Sequence, residues 1–126
     1  MTARARGEPI EVGAKALLIK VDDAFVLLVL SAARKLDSAA VKRRLSARSS
    51  RFASREELLR LTGLVPGSVP PFGPPVLPFD LYIDSDLPGL PRVAFNCASL
   101  TESLILATPD YLRAAAPRDI FPFAAG

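Results

Sequence analysis

The segment from Gly63 to Pro78 holds three glycines and six prolines, and this density restricts the fold more than any other stretch. Proline fixes φ and has no N–H to donate, so the segment can be neither a helix interior nor a central strand. It has to be a long, stiff, exposed loop, with regular structure gathered on either side of it. Loops of this length in small domains are functional or disordered, and proline lowers the entropy lost on ordering, which favours function.

Ahead of the loop, Ala14 to Val21 alternates, so a strand sets Lys15, Leu17, Ile19 and Val21 on one face. Asp22-Asp23 supplies a tight turn, and Ala24 to Leu30 is a continuous apolar run that suits a strand covered on both sides. Asp37 or Ser38 can cap a helix through Ala47 with Val41 and Leu45 inward and Lys42, Arg43 and Arg44 outward. Ser54-Arg55-Glu56-Glu57 is a capping box, followed by leucines and closed by Thr62-Gly63. Beyond the loop, Phe79 to Asp84 alternates and ends in a turn to Gly89, Arg92 to Cys97 and Ser103 to Ala107 suit short strands, and Thr108-Pro109-Asp110 starts a last helix, with Thr108 as cap, to about Ala115. These elements imply a mixed α/β fold.

With 126 residues, half of them hydrophobic, the chain fits one compact domain over residues 1–126, with 1–12 and 117–126 as loose termini, including Phe121-Pro122-Phe123. The longest apolar run is seven residues, against roughly 20 for a bilayer span, so no membrane partner is expected. The first residues lack the apolar core of a secretory signal, which leaves a cytoplasmic location by default.

Histidine is absent and Cys97 is the one cysteine. That excludes a Ser-His-Asp triad, a Cys-His dyad, a Cys/His zinc site and an internal disulfide. Chemistry must come from lysine, carboxylates, hydroxyls, backbone amides or the substrate, with no metal and no cofactor. Cys97 itself suits a small buried hydrophobe better than a nucleophile, and Asp80, Asp84 and Asp86 suit strand-end and turn positions better than a cation site. The net charge of +3 is unevenly placed: Arg34 to Arg60 holds nine basic residues against three acidic ones. Such a block fits phosphate-backbone contact through Lys42, Arg43 and Arg44, or a solvated helix face.

Two segments in order, Ala14-Lys15-Ala16-Leu17-Leu18 and Thr62 to Gly73 (TGLVPGSVPPFG), resemble the lysine strand and glycine-proline loop of the YbaK/prolyl-tRNA-synthetase-associated editing family. Lys35-Leu36-Asp37, Ala53-Ser54 with Glu56-Glu57-Leu58, the strand ending at Asp84, and Phe95-Asn96 before Ser99 extend the resemblance from about Gly13 to Tyr111. The resemblance implies a single domain with a curved mixed β-sheet or partial barrel of about six or seven strands flanked by helices. It also implies a trans-acting aminoacyl-tRNA deacylase that hydrolyses the ester of a small amino acid wrongly attached to tRNA, tRNA for proline included. Implied partners are aminoacyl-tRNA and an aminoacyl-tRNA synthetase, with the chain a monomer or homodimer.

On the same basis Lys15 matches the family's essential lysine, and Gly67 to Pro71 matches its Gly-x-x-x-Pro element. Backbone amides of Gly67, Ser68 and Val69 are then expected to polarise a carbonyl oxygen. Pro71, Phe72, Gly73, Asn96, Ala98, Ser99 and Thr101 are expected to bind substrate, with Ser99 or Thr101 bonding the amino acid. An activated ester needs little general-base help, and the substrate's 2′-hydroxyl can position water, so histidine is dispensable.

Three departures stand out. Only fourteen residues precede Lys15, where relatives commonly carry more, so part of the pocket wall is expected to be missing. Asn96-Cys97-Ala98-Ser99 stands where many relatives have Asn-Ala-Gly-Ser, and the histidine of some relatives is absent. A degenerate domain of the same fold, binding tRNA or a synthetase without hydrolysis, is the first alternative, and a protein-interaction module using exposed apolar surface is the second.

Overall fold

The computed structural model describes residues 13–96 and 103–125. Strands β1 (Ala14–Val21) and β2 (Ala24–Ser31) form the expected antiparallel hairpin, turning at Asp22 with φ +52°. Aspartate is among the non-glycine residues that adopt this conformation most readily; its Oδ1 accepts from the N–H groups of Arg48 and Ser49, each at 3.0 Å, tying the turn to the segment ahead of Ser50. Helices α1 (Ser38–Leu45) and α2 (Arg55–Thr62) follow, separated by β4 (Ser50–Phe52). Asp37 caps α1, which stops two residues short of the expected Ala47 because Ser46 turns left-handed. The Ser54–Glu57 capping box and the left-handed Gly63 end α2 as expected.

After the proline loop come β5 (Asp80–Asp84), a 3-10 turn at Leu87–Gly89, the β6 (Arg92–Asn96) and β7 (Ser103–Ala107) hairpin, and α3 (Thr108–Ala115). Thr108 is the first residue of α3 and not its cap; its hydroxyl is buried without a hydrogen-bond partner among the described residues.

The described strands divide into a five-stranded mixed sheet, ordered β4-β1-β2-β5-β8 with β8 spanning Asp119–Phe121, and two ribbons, β6-β7 and β3 (Lys35–Leu36) with β9 (Ala124–Ala125). β5 runs parallel to both β2 and β8. The layout is mixed α/β with flanking helices, as expected, with the described strands shared among three sheets and forming no closed barrel. One apolar cluster joins Leu18, Leu27, Val29 and Val69 to α2, β6 and α3; the other joins Ile19, Leu28 and Leu30 to Val41 of α1 and to Phe121 and Phe123. Alternation along β1 and β2 feeds the two faces, so α1 and the proline loop lie on opposite sides of the sheet.

The C-terminal segment, expected to be loose, is held firmly. β8 (Asp119–Phe121) is a sheet strand, and Phe121 and Phe123 are buried. Asp84 explains the anchoring: buried at the end of β5, its Oδ1 accepts from the N–H groups of Phe123 and Ala124 at 2.8 and 3.0 Å. Residues 1–12 lie outside the described part. Among the described residues no helix is long and apolar enough to cross a membrane.

Candidate active site: a cleft at the open edge of β1

The hairpin register fixes which backbone groups of β1 face outward. Gly13 accepts from Ala32 N–H on the β2 side at 2.7 Å, while Leu18 accepts from Ala53 N–H on the other side at 2.9 Å. Odd positions therefore bond β2, and Ala14, Ala16 and Leu18 turn their N–H and C=O away from it. β4 covers that outer edge from Ile19 to Val21, and a parallel bridge ties Gly13 to Ala94 of β6. Between these attachments no described strand pairs with the edge at Ala16.

The gap is a cleft of about 390 Å³. Its walls are Ala14 to Leu17 of β1, Gly67 and Val69 of the proline loop, and Ala94 to Asn96 of β6. Of the residues singled out in the sequence, Lys15, Gly67, Val69 and Asn96 meet here. Lys15 is half-buried, on the side of β1 that also carries Leu17 and Ile19.

The loop reaches the cleft through a tight turn. Ser68 N–H donates to Val65 O at 3.1 Å, and Pro66-Gly67 fill the central positions with Gly67 at φ +89°. Proline followed by a positive-φ glycine is the pattern of a type II turn. The Ser68 hydroxyl also donates to Val65 O, at 2.8 Å, and accepts from Val65 N–H at 3.2 Å. Ser68 is buried, and its amide closes the turn, so it is not the free donor expected from the sequence. The N–H groups of Gly67 and Val69 have no such bond to a described residue.

Two side chains from outside the loop hold it in place. Asn96 Nδ2 donates to Gly67 O at 2.8 Å, and the buried Tyr111 hydroxyl donates to Pro71 O at 2.7 Å. Burial pushes the Tyr111 phenol well above its ordinary pKa, so it stays a donor. Neither role is visible in the sequence, because the partners lie 29 and 40 residues away.

Pro71, Phe72 and Gly73 do not line the cleft. Phe72 packs edge-on against Phe95 and Tyr111, with ring centroids 5.4 and 5.5 Å apart. A Cβ on Gly73 would come within 2.9 Å of Phe79 O, so this glycine permits close backbone packing. Ala98, Ser99, Thr101 and Cys97 lie outside the described residues.

The basic residues of α1 are on the opposite face of the sheet from the loop. Arg44 is engaged: it donates to Asp119 at 2.9 and 3.1 Å and lies 5.3 Å from the Phe121 ring centroid, and its guanidinium holds the Asp119 carboxyl below the usual range. Lys42 is half-buried and Arg43 exposed, and neither forms an ion pair among the described residues. Near β4, Arg51 makes a two-pronged bond to Glu57 at 2.7 and 2.9 Å. No group of three or more His, Cys, Asp or Glu is placed to hold a metal among the described residues.

Residues 1–114 match the family described as aminoacyl-tRNA editing domain. The chain is 37% identical over 118 residues to the multifunctional Ser/Thr-tRNA deacylase ProXp-y of Escherichia coli (strain K12), covering 89% of this chain and 70% of that protein. It is 34% identical over 80 residues to the proline–tRNA ligase of Shouchella clausii (strain KSM-K16), covering 64% of this chain and 14% of the ligase. Among solved structures, a candidate trans-editing enzyme for prolyl tRNA synthetase superposes with a TM-score of 0.85 at 25% identity, over 97% of this chain and 76% of that one. The chain belongs to the aminoacyl-tRNA editing domain family.

Proposed function

We propose that the chain is a trans-acting aminoacyl-tRNA deacylase, hydrolysing the ester between a tRNA and a small, wrongly attached amino acid in the cleft at the edge of β1. The observation that carries this reading is that Lys15 and the Gly67 and Val69 amides line one cleft of about 390 Å³, within a chain whose family edits aminoacyl-tRNA.

Lys15 supplies a cation at the cleft wall, suited to the 3′-terminal phosphate or ribose. The Gly67 and Val69 amides are the donors for a carbonyl oxygen as negative charge develops on it. Water adds to the ester carbon, and the tRNA hydroxyl leaves with the proton. With no histidine in the chain, the substrate's own 2′-hydroxyl positions the water, and the protein's work is orientation and polarisation. Lys42 and Arg43 are candidates for acceptor-stem phosphates, since Lys15 shares its side of β1 with the face that carries α1. Arg44, tied to Asp119, contributes less. A cytoplasmic location and exchange of substrate with a prolyl-tRNA synthetase fit this reading.

The test is deacylation of tRNAs mischarged with serine, threonine, alanine and cysteine, by the wild type and by Lys15→Ala. Turnover lost in the variant supports the proposal. Tight tRNA binding without turnover by the wild type supports a degenerate binding domain instead.

A further inference from the structure

The cleft continues sideways into a smaller pocket of about 100 Å³, with Ala16, Leu17, Gly67 and Val69 forming walls of both spaces. Leu18, Ala53 and Leu58 close its inner end. Its rim is Phe52 on one side and the exposed Pro66 on the other. Phe52, the last residue of β4, leaves 57% of its surface exposed.

The chemistry of this side pocket decides what fits it. No lining residue has a polar side chain, so a serine or threonine side chain placed there would lose its water hydrogen bonds without replacement. A nucleobase, with two apolar faces and a polar edge, has the opposite requirement. Ala16, between the two spaces, turns its N–H and C=O away from β2, a donor and acceptor side by side like those on the pairing edge of adenine.

We propose that the side pocket seats the 3′-terminal base of the tRNA, stacked on Phe52, while the ribose and its ester occupy the cleft beside Lys15. The inference rests on the deacylase reading for the identity of its ligand. It assigns Phe52 a binding role and Ala16 a backbone contact to the base, and it leaves the acyl group to the larger cleft.

Equilibrium binding of two uncharged tRNAs tests it: one ending in adenosine, the other identical but with an abasic 3′-terminal nucleotide. The wild type should bind the first about tenfold more tightly. Phe52→Ala should lose that tenfold on the first tRNA and nothing on the second, while Phe52→Trp keeps the difference. An unchanged melting temperature for the variants, expected for an exposed ring, confirms that folding is intact. Equal wild-type affinities, or an equal loss on both tRNAs, overturns the inference. Hydrolysis of mischarged tRNA by the same wild-type preparation separates the two ideas: turnover with equal affinities overturns the base pocket alone, whereas a base-dependent difference without turnover overturns the deacylase reading and supports the pocket.

Discussion

The side-chain amide of Asn96 donates to the carbonyl of Gly67 at 2.8 Å, joining the end of β6 to the turn of the proline loop across the cleft. This bond fixes the peptide that follows Gly67 and so helps set where the loop's free amides point. Asn96→Ala should therefore leave the fold intact and lower kcat for deacylation by about tenfold or more, since a small displacement of a polarising donor is costly. Steady-state kinetics beside a melting curve checks this. A change in KM alone would mean that Asn96 acts on substrate binding and not on the loop.

Tyr111 holds the same loop from the core side, through its bond to Pro71 O. Tyr111→Phe keeps the packing against Phe72 and Phe95 but leaves a buried carbonyl without its donor. Such a loss costs about 2 kcal/mol, which should lower the melting temperature by roughly 5–10 °C. Calorimetry of the variant reads it directly, and an unchanged melting temperature would show that water replaces the hydroxyl.

Glu57 links stability to pH. The Arg51 side-chain hydrogen bond, then the Ser54 N–H, hold its carboxyl far below the usual glutamate range. A carboxyl lowered in the folded state stabilises the fold fully above its unfolded value, and this contribution fades as pH falls from the ordinary glutamate value toward the folded one. Glu57→Gln should thus be less stable than the wild type near neutral pH, with the gap closing on acidification. Urea midpoints at several acidic pH values measure the gap; one that stays constant would contradict the assignment.

What was legible in the sequence was local. The Lys15 strand, its hairpin partner and the Ser54 capping box depend on residues a few positions apart, where periodicity and cap chemistry suffice. The Gly-Pro pattern likewise marks the loop. What escaped depends on distant partners. β8 and β9 are too short to show a period, and they are fixed by Asp84 reaching Phe123 and Ala124 about forty positions on. Ser68 resembles a free donor until the turn folds it back on Val65, and Phe72 resembles a pocket residue until Phe95 and Tyr111 draw it into the core. The side pocket under Phe52 had no signal in sequence, because its walls come from β1, β4, α2 and the loop together.

The most direct measurement is the single-turnover rate of ester hydrolysis on a mischarged tRNA, compared between the wild type and Lys15→Ala at matched folding. The variant should be slower by at least about a hundredfold, the scale expected when one polarising or anchoring group is removed from a preorganised site. A variant that hydrolyses the ester at the wild-type rate would contradict it, because the cleft shared by Lys15 and Gly67 would then not be where the ester is broken.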